Sequence, residues 1–180
     1  MTVTTTSNGD LGRRPLVSVA VARACLSGHL ALVLDDDVSS FGHIFVSLAS
    51  AGCRAVLARR WTQAVHQIER VGRPSLLIFS TTLKDMEAAE VIEAVRAIPA
   101  TNGAILVALA ERDSKREQRL LRSLGCDGYI CKPADRFLFA AELVRRAPRL
   151  TAGSGAPLAA GRTPVEPWVG DGAPARVGGP

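Results

Sequence analysis

Residues 29–37 read HLALVLDDD, a short apolar run that ends at three consecutive aspartates. Leu30, Ala31, Leu32, Val33 and Leu34 are apolar at odd and even positions alike. Side chains alternate between the two faces of a strand. A run that is apolar at both parities therefore belongs to a strand covered on both sides, as in a parallel sheet under helices. Residues 75–79 (SLLIF) and 104–109 (AILVAL) have the same character. Residues 54–58 (RAVLA) and 128–131 (GYIC) read as two shorter strands.

Between these strands the apolar period changes. Phe41, Ile44, Phe45, Leu48 and Ala49 fall at helical spacing and stop at Gly52. Thr62 is a candidate N-cap for a helix with Val65, Ile68 and Val71 inward, closed by Gly72 and Pro74. Val91, Ile92, Val95 and Ile98 make a helix ending before Pro99, and Leu120, Leu121 and Leu124 mark one ending at Gly125. Phe137, Leu138, Ala141 and Val144 give the last. Strand and helix thus alternate five times, which predicts an α/β fold: a doubly wound, five-stranded parallel sheet with five helices. Right-handed crossovers favour the flavodoxin-like strand order 2-1-3-4-5. In that order the active crevice lies at the carboxyl ends of strands 1 and 3.

The pattern occupies residues 29–148. Residues 1–28 read as a loose N-terminal extension. Arg13 and Arg14 precede an apolar run, as in a secretion signal, but the run is short and Arg23 closes it. Residues 149–180 are rich in Gly, Pro and Ala, lack periodicity and read as a disordered tail. The chain carries a formal charge of +5, yet residues 29–148 hold 16 of the 22 Lys and Arg and 14 of the 17 Asp and Glu. The body is nearly neutral, which argues against generic nucleic-acid binding. No apolar stretch approaches the ~20 residues of a membrane span. Cys25, Cys53, Cys126 and Cys131 form no CxxC pair, as expected of small buried hydrophobes in a reducing, cytoplasmic setting. The preference for Arg over Lys and the many alanines suit a GC-rich bacterial genome.

Asp35, Asp36 and Asp37 end strand 1. Adjacent carboxylates in a crevice repel one another, and a hard cation such as Mg2+ relieves that; an aspartate there can equally cap the following helix. Lys132-Pro133 follows strand 5. The lysine can reach across the crevice as a point charge for an anion, and the proline can be cis and fix the loop.

The strings LVLDDDVSS, PSLLIFSTTLKDM and GCDGYICKP, in this order and spacing, resemble the receiver domain of two-component response regulators over residues 30–147. That resemblance implies Mg2+ held by the acidic pair Asp35 and Asp36, an anion-binding lysine at Lys132 and a switch aromatic at Tyr129. It also implies two departures. The phosphoacceptor position is Ser80, and the hydroxyl position ending strand 4 is Leu109. Serine has no carboxylate to form an acyl phosphate and is a poor nucleophile without a nearby base. Ser80 also removes one charged Mg2+ ligand, and Leu109 cannot bond a phosphoryl oxygen. The expectation is a pseudo-receiver that signals through protein contacts, independent of aspartyl phosphorylation.

Receivers commonly dock partners, or a second copy, on the face of their fourth helix, fifth strand and fifth helix. Arg112, Lys115, Arg116, Arg119 and Arg122 would gather on one side of that fourth helix, with Glu111, Asp113 and Glu117 interleaved. The partner expected is protein, not nucleic acid or membrane. LVLDDDVSS is also similar to the paired-aspartate motif of haloacid-dehalogenase-like phosphatases, which would make Asp35 a Mg2+-assisted nucleophile and Asp37 its acid/base. Against that enzyme, the chain has only Asp127 where the family has a later acidic pair.

Overall fold

In the computed structural model, residues 17–132 and 138–152 are described. Five parallel strands, β1 (Leu30–Leu34), β2 (Arg54–Ala58), β3 (Leu76–Ser80), β4 (Ile105–Ala110) and β5 (Gly128–Cys131), form one sheet in the order β2-β1-β3-β4-β5. The predicted topology is the observed one. Strand parity distributes the core. Ala31, Val33, Ile78, Val107 and Ile130 point to one face, and Leu32, Leu34, Leu77, Phe79 and Leu106 to the other.

Helices cover both faces. The first face carries α1 (Val19–Leu26), α2 (Val38–Ser50), α6 (Phe139–Arg146) and the short α7 (Arg149–Ala152). The second carries α3 (Trp61–Val71), α4 (Ala88–Ala97) and α5 (Lys115–Ser123). A single 3-10 turn, Pro99–Thr101, precedes β4.

The described residues therefore hold seven α-helices where five were expected. The first surplus helix, α1, lies in the segment read as a loose extension. Ala22, Cys25 and Leu26 sit at helical spacing and are buried against the core that α6 also covers, and Ser18 caps the helix by accepting from the Val21 N–H. The second, α7, carries the ordered chain past residue 148 and buries Leu150. Residues 1–16, Pro133, Phe137 and the Gly/Pro/Ala-rich tail beyond residue 152 lie outside the described residues.

Three helix readings are corrected. Phe45 and Ala49 are exposed because α2 turns Phe41, Ile44, Ser47 and Leu48 inward. α3 starts at Trp61 after Arg60, so Thr62 is inside the first turn; the Trp61 N–H is taken by Asp85 Oδ2 at 2.9 Å. Leu138 is exposed, while Phe139 and Leu143 fill the place given to it.

Candidate functional site: the carboxyl ends of the sheet

Strand register brings the predicted site residues to one edge. Leu34 pairs with Phe79, which sets Asp35 beside Ser80. Ser80 pairs with Leu109, and Leu109 with Ile130, two residues before Lys132. Backbone bonds extend the edge past the strands: Asp35 N–H to the Ala58 carbonyl at 3.0 Å, and Lys132 N–H to the Ala110 carbonyl at 2.7 Å. Four separate strands thus deliver Asp35, Ser80, Leu109 and Lys132 to the crevice that the topology predicts.

Lys132 organises the site. Its side chain is 7% exposed, and its ammonium lies 2.7 Å from Asp35 Oδ2, 3.3 Å from Ser80 Oγ and 3.3 Å from Glu111 Oε1. An ammonium has three N–H donors, and here three acceptors face it. Burial works against its charge, but the hydrogen bonds and fields of Asp35 and Glu111 more than restore it and hold its pKa above the usual lysine value. Asp35 is fully buried. Burial pushes its carboxyl up, against the opposing pull of Lys132 and of the Asp37 N–H, which bonds Oδ1 at 3.1 Å. An external anion competes for this lysine with two carboxylates and a hydroxyl that belong to the chain.

The other two aspartates diverge. Asp36 is half-buried and pairs with Lys84 Nζ at 3.2 Å. Asp37 is exposed and caps α2, accepting from the Ser39 N–H at 3.0 Å, the Ser39 hydroxyl at 2.7 Å and the Ser40 hydroxyl at 2.7 Å. The Ser40, Ser39 and backbone bonds together hold its carboxyl down to about 2. All of these contacts are those of a helix cap, the other role open to an aspartate at this position. The donors also do not fit a Mg2+ cage of the implied kind. Asp35 is engaged by Lys132, Asp36 by Lys84, and the third position offers only the Ser80 hydroxyl, which lies 3.2 Å from the Thr82 hydroxyl. Among the described residues, no group of three His, Cys, Asp or Glu is placed to hold a metal ion.

Ser80 is fully buried, and among the described residues no histidine or carboxylate hydrogen-bonds its hydroxyl; its partners there are Thr82 and Lys132. Leu109 is fully buried and helps wall a cleft of about 340 Å³, together with Ser40, His43, Glu111 and Lys132.

Tyr129 is buried, and its single hydroxyl proton is shared between two acceptors, the Arg112 carbonyl at 2.6 Å and Glu117 Oε2 at 2.7 Å. Burial and the Glu117 carboxylate push the phenol up. Arg112 therefore belongs to the loop before the Ser114 cap, not to α5, and leaves the predicted stripe. Lys115, Arg116, Arg119 and Arg122 remain on α5 and are all exposed. The site residue that sequence reasoning missed is Glu111, read there as one of several interleaved surface charges. Its signal was position: it follows directly on the last residue of β4, where an active-crevice residue belongs.

With strand order and strand-end geometry established, comparison with solved structures is decisive for the architecture. The Vibrio cholerae chemotaxis response regulator CheY4 superposes with a TM-score of 0.59 at 20% identity, over 65% of this chain and 97% of that one. A response regulator receiver domain protein from Methanospirillum hungatei gives 0.58 at 20% identity, over 69% and 97%. The signal receiver domain of a Bermanella marisrubri response regulator gives 0.55 at 22% identity, over 66% and 94%. The fold is that of response-regulator receiver domains. No protein-family model and no curated protein sequence matches the chain. Within this fold, Ser80 ends β3 at the carboxyl edge of the sheet, and α5 and α6 cover opposite faces of the sheet near the edge strand β5. No helix among the described residues is long and apolar enough to cross a membrane.

Proposed function

We propose that this chain is a non-enzymatic, receiver-like module of bacterial two-component signal transduction that acts in the cytoplasm by protein–protein contact, independent of aspartyl phosphorylation. The observation that carries this reading is the Ser80–Lys132 pair. A neutral hydroxyl occupies the acceptor position, and the lysine that would steady a phosphoryl group is already faced by Asp35, Ser80 and Glu111. A serine hydroxyl near neutral pH attacks an acyl or histidyl phosphate only with a base to take its proton, and its partners are a threonine and an ammonium. Leu109 adds no donor for the phosphoryl oxygens.

The surface proposed for output is the α5–β5–α6 face, engaging a protein partner or a second copy. The test is direct. Full-length protein incubated with acetyl phosphate and Mg2+ is expected to keep its intact mass. The appearance of a species heavier by one phosphoryl group, lost in a variant at Ser80 or at any aspartate of the crevice, overturns the reading.

A further inference from the structure

A surface helix ordinarily turns charged residues to solvent, and the outer side of α2 does not. Alone among the described α-helices, α2 contains no Asp, Glu, Lys or Arg. Phe41, Ile44, Ser47 and Leu48 fill its inner side. At ~100° per residue, Phe45, Val38, Ala49, Gly42 and Val46 follow one another round a single outer arc, with Ser39, Ser50 and His43 beyond Val46. All eight of these positions are exposed. Val38 is 61% exposed, Val46 53% and Phe45 43%, so three sizeable apolar side chains lie side by side in water. A helix that is apolar all round is ordinarily covered all round. Gly42 stands within the arc, and a Cβ built there would meet no heavy atom within 4 Å. The arc therefore has an open notch with apolar side chains rising around it.

We propose that α2 packs against α2 of a second copy of this chain in an antiparallel, two-fold dimer. Under a two-fold axis the same patch serves both copies, so a charge of either sign on this arc would oppose its own image. The arc has none. A partner selected by charge would find nothing on it to recognise. Its shape is also self-complementary. With the axis at Gly42, residues four before and four after it come opposite one another, which sets Val38 against Val46 of the partner subunit on both sides of the crossing. The absent side chain at Gly42 lets the two helices approach there. Antiparallel packing also sets the N-terminus of each helix beside the C-terminus of the other, where opposite partial charges meet. α2 has 13 residues and is ~20 Å long. One helix pair of that length covers less than the roughly 800 Å² per partner of a standard interface, so the dimer should dissociate in the micromolar range. α2 packs on β1 and β2, at the other side of the sheet from β5, which leaves the α5–β5–α6 face open to a protein partner.

Analytical ultracentrifugation of the full chain from about 1 to about 300 μM spans the range such a dimer requires. The mass is expected to rise from the 19.0 kDa of one chain to twice that value and to stop there. Val46→Glu should weaken association at least about tenfold, because it sets a carboxylate in each copy of a shared patch. Gly42→Leu separates a fitted pair from general stickiness. It adds apolar surface and helix propensity at a position with room for the side chain, yet by filling the notch it should also weaken the dimer at least about tenfold. R116E/R119E/R122E, on α5, should leave association unchanged. A single-chain mass at every concentration, growth past two copies, undiminished association of Val46→Glu, or association of Gly42→Leu as tight as that of the wild type overturns the proposal. Loss of the dimer in the α5 variant overturns it too, by moving the second copy to that face. These failures leave the phosphorylation-independent reading in place, which falls only to a phosphoryl adduct in the mass measurement.

Discussion

Lys132 is paired with a carboxylate that has no access to water, and this makes it a structural residue as much as a site residue. Removing one partner of a buried ion pair leaves the other uncompensated, typically at about 3–5 kcal/mol. Lys132→Met is therefore expected to destabilise the fold by about that amount near pH 8. Burial raises the Asp35 carboxyl above its unfolded value, so the stability tied to its protonated form is present at low pH and lost as pH rises. Without Lys132 that loss deepens, and the penalty of Lys132→Met should be smaller at pH 5 than at pH 8. Adding Asp35→Asn should recover much of it. Urea unfolding at the two pH values decides, and an equal penalty at both would show that Asp35 is not the group left stranded. Asp35, Ser80 and Lys132 were legible in the sequence because each ends an apolar run, and ends of parallel strands meet at one edge. Glu111 and Glu117 were not. Nothing in their spacing distinguishes a carboxylate turned toward a buried lysine or tyrosine from one turned to solvent, since that choice is made by partners about 12 to 21 residues further on.

At the scale of elements, the strands were the most legible part, because continuous apolar runs admit few alternatives, and β2 and β5 match their predicted limits. Helices were legible in existence and less so in phase. α2 was assigned Phe45 as an inward residue, yet Phe45 is 43% exposed while Ser47 is buried and donates nothing apolar; its hydroxyl accepts the Ala140 N–H of α6 at 3.0 Å. A buried serine holding a neighbouring helix cannot be inferred from hydrophobic period. α1 was missed because Arg23 interrupts the apolar run, although Ala22, Cys25 and Leu26 form one stripe. This makes α1 part of the domain and yields a test. Leu26 is fully buried, so Leu26→Ala should cost about 2–5 kcal/mol, whereas Val21→Ala, at an exposed position, should stay within about 0.5 kcal/mol. Chemical denaturation of both variants settles it. Near-zero effects from both would return residues 17–28 to the status of a loose extension.

Across the whole molecule, the crevice and the α5 face are joined by one short loop fastened at successive residues. The Glu111 side chain is held by Lys132 at one end, and the Arg112 carbonyl accepts from Tyr129 at the other, where Glu117 of α5 shares the same hydroxyl. In a receiver that takes up a phosphoryl group, an added anion is available to reposition such a loop. Here the loop's own carboxylate already faces the lysine, and the same loop leads into α5. Tyr129→Phe removes a hydrogen bond of about 1 kcal/mol, and amide exchange over residues 111–119 should accelerate about fivefold if local opening carries that exchange. Glu111→Gln keeps the shape but weakens the charge on Lys132, so a smaller acceleration should appear in the same segment. Helix α2, capped by Asp37 through Ser39 and Ser40, has no part in this chain of contacts and should keep its protection in both variants. Exchange that rises equally in α2 and α5 would mean that the substitutions loosen the domain globally and that the loop does not link the crevice to the face. On the phosphorylation-independent reading proposed above, acetyl phosphate with Mg2+ should leave the wild-type exchange pattern of residues 111–119 unaltered, because a ligand shifts a conformational equilibrium only by as much as it binds one state better than the other.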